Sequence, residues 1–160
     1  MFNLNPFRDT PYALQFVFVG KMYQWQYNSG FITGITNIQI KASTDQIPHI
    51  IARTMRTAST GITVKLIEAP TFTSTGNVVV SSFSVNREIP TAPKLIFAAN
   101  SSANSGSTIE NVNLVSGNTW EQIAPEIILK SGENYNIRVI NTGSTALKVD
   151  FNFVYYESNN

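Results

Sequence analysis

Apolar and polar residues alternate with period two through the last part of this chain. Tyr135, Ile137 and Val139 share one face of a strand, and Leu147, Val149, Phe151, Phe153 and Tyr155 share one face of the next. Successive side chains of a strand point to opposite sides, so each segment has one face destined for a core and one for water. Gly143, Ser144 and Thr145 lie between them and predict a turn, making a closing hairpin.

The same period recurs upstream. Met22–Asn28 places Tyr23, Trp25 and Tyr27 on one face and Gln24 and Gln26 on the other. The apolar run Ala13–Val19 reads as a buried strand, and Gly20 and Lys21 would turn it back onto Met22–Asn28 as a hairpin. Thr33–Ala42 alternates weakly. Ile47–Arg56 fits a strand and a short helix almost equally, with strand preferred, and Ile62–Glu68 is a clear strand. Further strands are expected at Val78–Val85, Leu95–Ala98 and Thr108–Val115, with Trp120 and the segment 125–129 leading into the closing hairpin. Ala69–Gly76 reads as a loop, and the Asn/Ser/Ala/Gly stretch Asn100–Ser107 as an exposed, mobile one. About ten short strands with turns between them predict an all-β fold: an antiparallel β-sandwich, jelly-roll-like. Residues 1–12, with Pro6 and Pro11, read as an extended arm, and residues 13–160 as one sandwich domain.

Composition narrows the chemistry. Only 13% of the 160 residues are charged, and the net charge is +1. There is no basic run, which argues against nucleic acid or an anionic membrane as partner. No apolar stretch approaches the roughly 18 residues of a membrane span. The first residues lack the basic-then-apolar pattern of a secretory signal, so synthesis in a cytoplasm is expected. The absence of cysteine excludes disulfides, thiolate metal sites and cysteine nucleophiles.

No catalytic, metal-binding or cofactor-binding residues are expected. The lone His49 has no nucleophile or acid beside it in sequence, and reads as structural. The acids are scattered without a metal-binding spacing, and phosphate-binding glycine loops are absent. Asn100-Ser101-Ser102 fits a glycosylation sequon by chance in a Ser/Asn-rich stretch. The row Tyr23, Trp25, Tyr27 carries two readings: a ladder packed in the core, which is preferred, or a flat platform for sugar rings.

An ordered series of short motifs carries a resemblance. His49 is followed by Val64-Lys-Leu-Ile-Glu68, Ala69-Pro-Thr71, Ser74-Thr-Gly-Asn77 and Ser84-Val-Asn-Arg87. After a long variable stretch come Ile128-Leu-Lys-Ser-Gly-Glu-Asn-Tyr135, Arg138-Val-Ile-Asn141 and Phe153-Val-Tyr-Tyr-Glu157. Over roughly residues 49–157 this order resembles the capsid decoration (cement, or auxiliary head) proteins of tailed bacteriophages. The resemblance implies a non-enzymatic virion protein on the outer capsid surface. It would bridge and stabilise major capsid protein subunits, without a cofactor. It also implies a homo-oligomer, a trimer ahead of a dimer. Phe2, Leu4, Phe7 and Arg8 of the arm are the candidate capsid contacts. The alternative is a carbohydrate- or receptor-binding module on the head or tail fibre, with Tyr23, Trp25 and Tyr27 as its platform.

Overall fold

The structure, a computed structural model, describes residues 20–58, 60–88, 90–115, 119–122 and 126–160. The arm and the run 13–19 lie outside them, as do Phe2, Leu4, Phe7 and Arg8. Among the described residues every regular element is a strand: β1 (Met22–Asn28), β2 (Ile35–Lys41), β3 (Gln46–Thr57), β4 (Ile62–Glu68), β5 (Thr71–Ser74), β6 (Val78–Val80), β7 (Phe83–Ser84), β8 (Ile96–Asn104), β9 (Ser107–Leu114), β10 (Thr119–Gln122), β11 (Ile127–Ile128), β12 (Asn134–Asn141) and β13 (Val149–Asn159). The expected bounds of β1 and β4 are met residue for residue, and Ile47–Arg56 is strand, within β3.

The strands form two antiparallel sheets. The first runs β10-β3-β13-β1-β7, with β11 also on the outer edge of β3. The second runs β5-β8-β2-β12-β4-β9, with β6 also on β8. If the β5–β8 excursion is set aside, consecutive principal strands alternate between the sheets, except the neighbours β4 and β9. The four central strands of the first sheet are then β1, β13, β3 and β10, facing β2, β12, β4 and β9 of the second. This is the connectivity of a jelly roll, two Greek keys closed on each other. The β5–β8 excursion is inserted between β4 and β9 and widens the second sheet beyond β2.

The core lies between the sheets. Trp25 is fully buried, and its ring stacks on Phe97 of the second sheet at 4.2 Å between centroids. Phe153 meets the same indole edge-on at 5.3 Å. Burying one side chain the size of Phe97 or Phe153 stabilises by about 2–3 kcal/mol, so this aromatic cluster is a main tie between the sheets. A second tie is ionic: Arg53, buried on β3, donates from Nη2 to Glu110 Oε1 on β9 at 2.9 Å.

Four expectations are corrected. First, the stretch Ala69–Gly76, read as a loop, contains the strand β5, paired with the end of β8. Second, the alternating faces of the last two strands are right, but their pairing is not. β12 pairs with β2 and β4, whereas β13 pairs with β1 and β3, so the two strands sit in opposite sheets. The turn between them crosses the sandwich and lets both apolar faces meet in the core. Third, Asn100–Ser107 is not a mobile loop. Residues up to Asn104 belong to β8, and Ser101 and Ala103 are buried. The register shift between β2 and β8 leaves Asn100 as an extra residue, with φ of 61°. Asparagine tolerates this left-handed conformation better than most residues, and this bulge adopts it. Fourth, Val78–Val85 is not one strand but two, β6 on the second sheet and β7 on the first.

Candidate functional site

The aromatic row of β1 lies on the core side of the sheet. Tyr23 and Trp25 are buried, and Tyr27 is half-buried against Trp25 at 5.7 Å. Tyr23 donates to or accepts from Thr91 Oγ1 at 2.7 Å, and burial pushes its phenol above the ordinary value. These rings therefore offer no sugar platform, because the alternation that aligns them also turns them inward.

Several motifs of the capsid-protein resemblance come together in space. Lys130 Nζ pairs with Glu68 Oε1 at 2.9 Å, although 62 residues separate them in the chain. The backbone N–H of Lys130 donates to the Tyr135 hydroxyl at 2.7 Å, and that hydroxyl donates to Glu68 Oε1 at 3.2 Å. Gly132 completes the turn with φ of 73°, where a side chain would be strained. The Lys130 hydrogen bond holds the Glu68 carboxyl below its usual value. Burial pushes Tyr135 up to about 12, keeping it a neutral donor. At the far end of β13, Glu157 is buried and accepts the backbone N–H groups of Lys94 and Leu95 at 2.9 and 2.6 Å. Burial raises its pKa above the ordinary glutamate value, despite these donors. The Glu68–Lys130–Tyr135 cluster fixes a turn, and Glu157 anchors the segment that enters β8.

His49 acquires in space what it lacks in sequence. Its ring stacks on Tyr156 at 4.4 Å, Nδ1 lies 3.3 Å from Glu126 Oε1, and Nε2 lies 3.1 Å from Ser158 Oγ. The connectivity is that of an acid, a base and a hydroxyl. The amide groups next to Ser158 are already engaged: Asn159 Oδ1 accepts from Lys21 and Gln46, and Asn160 donates to Thr44 O and Ser131 Oγ. The array joins β3, the end of β13 and the residue that enters β11, so it reads as a clasp holding β11 against β3. Among the described residues, no group of three or more His, Asp and Glu could hold a metal ion.

A concave feature lies on the outer face of the first sheet. Strands β1, β13 and β3 align Asn28 with Asp150 and Asp150 with Arg56 in one cross-strand row. Gln26, Asn152 and Thr54 form the next row. These outward positions alternate with the buried Trp25, Phe151 and Met55, so all six side chains point away from the core. With Tyr27 and Phe151 they line a hollow of about 480 Å³. Sequence reading missed it. The polar alternation of each strand is visible, but the register that unites strands some 120 residues apart is not.

No protein-family model matches the chain, and no curated protein matches it.

Proposed function

We propose that this chain is a structural virion protein that decorates a phage capsid and stabilises it by bridging major capsid protein subunits. One observation carries the reading. The motif residues behind the resemblance, Glu68 on one side and Lys130, Gly132 and Tyr135 on the other, build a single bonded unit although they are far apart in sequence. The short motifs are thus joined to one another in space and not only ordered along the chain. The jelly-roll frame suits the role. It is rigid and antiparallel, and its low-charge, amide-rich surface fits a polar, wet interface. Many copies on a lattice let each contact be modest while the array holds firmly.

Co-sedimentation with expanded, empty phage capsids that lack the protein tests the reading. Saturable binding at a fixed ratio to the major capsid protein supports it. Absence of binding across capsids of the phage that encodes the chain would overturn it.

A further inference from the structure

We propose that the hollow on the outer face of β1, β13 and β3 is a binding site for a neutral saccharide, at the scale of one or two pyranose units. The proposal stands apart from the capsid reading and uses none of its motif residues.

The argument starts from unspent hydrogen-bonding capacity. Asp150 and Arg56 are direct cross-strand partners, a position where opposite charges ordinarily close an ion pair. Here they do not. Asp150 Oδ1 instead accepts from Asn28 Nδ2 at 2.5 Å, and the Arg56 guanidinium makes no ion pair among the described residues. Asn152 Oδ1 accepts from Gln24 Nε2 at 2.7 Å, which holds its amide in one orientation and leaves the N–H₂ directed elsewhere. The side chains of Gln26 and Thr54, beyond the backbone ladder, carry no hydrogen bond to another described residue. The hollow therefore gathers an acceptor-only carboxylate, a donor-only guanidinium, two-way amides and a hydroxyl, all held on one rigid sheet.

That mixture selects a class of ligand. A sugar hydroxyl donates and accepts at once, so a ring of hydroxyls can use every one of these groups. The carboxylate and guanidinium fit vicinal hydroxyls in a planar, two-point manner. An anionic ligand would meet Asp150, a cationic one Arg56, and a neutral polyol meets neither penalty. About 480 Å³ lies inside the range of small-molecule sites. Strands some 4.8 Å apart place neighbouring polar groups at the scale of a pyranose ring. Sugar recognition thus belongs to the same strand as the aromatic row, but to its opposite face.

The test is an amide-resolved NMR titration of the full chain with the methyl pyranosides of glucose, galactose, mannose and N-acetylglucosamine, and with glucuronate as the charged comparison. The expected result is saturable shifts for at least one neutral sugar, confined to residues 26–28, 54–56 and 150–152. Arg56→Ala and Asn152→Ala, both on the open face and outside the core, are expected to weaken that binding at least tenfold while the remaining spectrum stays folded. Val79→Ser, on the other sheet, should leave it unchanged. No shifts at saturating sugar, shifts scattered over the surface, binding of glucuronate alone, or undiminished binding in the Arg56→Ala/Asn152→Ala double variant would each overturn the proposal. Capsid co-sedimentation of the same double variant separates the two readings, since it is expected to bind capsids as the parent does.

Discussion

The outer faces of the two sheets are written in the same alphabet but have different fates. On the first sheet, Gln26, Asn28, Arg56 and Asp150 stand exposed around an open hollow. On the second, the row Ala98, Gln39, Asn136 and Ile67 also points away from the core, yet all four residues are buried, Asn136 completely. The chain's own insertion covers them. The end of β8 crosses this face, and Arg138 Nη2 reaches up to Ala103 O at 2.6 Å. Gly76 packs so closely over β8 that a Cβ there would lie 2.4 Å from Ala98 O, and one on Gly106 would lie 2.5 Å from Ile67 Cγ2. The lesson is that alternation reports which side of a sheet a residue takes, not whether that side is wet. The covered face keeps a polar ladder between β2 and β12, Asn136 to Asn37 at 2.8 Å and Gln39 to Asn134 at 3.3 Å, beneath the cover that Arg138 bonds. The open face leaves equivalent groups free for a ligand.

This contrast can be broken in several places. The largest effect lies on the inward side of β1. Trp25→Ala is expected to destabilise by about 3–5 kcal/mol, because it empties the contact with Phe97 and Phe153. Its outward neighbour, Gln26→Ala, should stay within about 0.5 kcal/mol; urea denaturation of both measures the difference. Next comes one substitution made on both outer faces. Asn136→Asp puts a carboxylate where no solvent reaches, and is expected to cost at least about 2 kcal/mol at neutral pH even with Arg138 nearby. Asn152→Asp, on the open face, should shift stability by no more than about 0.5 kcal/mol. Equal losses at the two sites would mean that the second face is not covered. A smaller effect, about 1–2 kcal/mol, is expected for Gly76→Ala, since the new methyl meets strand backbone that has to move. Hydrogen exchange should then speed up in β6 and β8 while β1 and β13 keep their protection.

The smallest effect is a slope with pH. Burial raises the folded pKa of Glu157 above the unfolded value near 4.5. The folded state therefore holds that proton more tightly, and this contribution is complete below pH 4.5 and lost as pH rises through the folded pKa. Glu68, whose folded pKa is lowered chiefly by its Lys130 hydrogen bond, acts in the opposite direction, and its contribution disappears as pH falls below 4.5. Urea midpoints of the parent and of Glu157→Gln, compared from pH 4 upward, should differ in slope between pH 4.5 and the raised folded pKa of Glu157 and run parallel on either side of that window. A parent midpoint that tracks the variant at every pH would contradict the assignment.

Much of the fold was legible because it rests on local period. Met22–Asn28 and Ile62–Glu68 announce themselves by alternation, and the faces of β12 and β13 follow from the same rule. Pairing was not legible. A turn such as 142–146 looks alike whether it folds two strands side by side or carries the chain from one sheet to the other, and only the partners β1, β2, β3 and β4 decide between the two. The small, polar composition of Asn100–Asn104 misled for a related reason. A strand that crosses over a sheet needs small residues and a bulge, and these are also the marks of a loop. The hollow was hidden in the same way, because Arg56 and Asp150 meet through register alone.

The measurement that bears most directly on the capsid role is calorimetry of expanded capsids lacking the protein, with and without a saturating amount of the purified full chain. Binding to the assembled shell but not to its dissociated subunits must raise the shell's melting temperature in proportion to occupancy. The proposal predicts a rise that saturates at the same ratio to the major capsid protein as co-sedimentation. An unchanged melting temperature at full occupancy would show that the chain rides on the shell without holding it together, and would contradict the stabilising role.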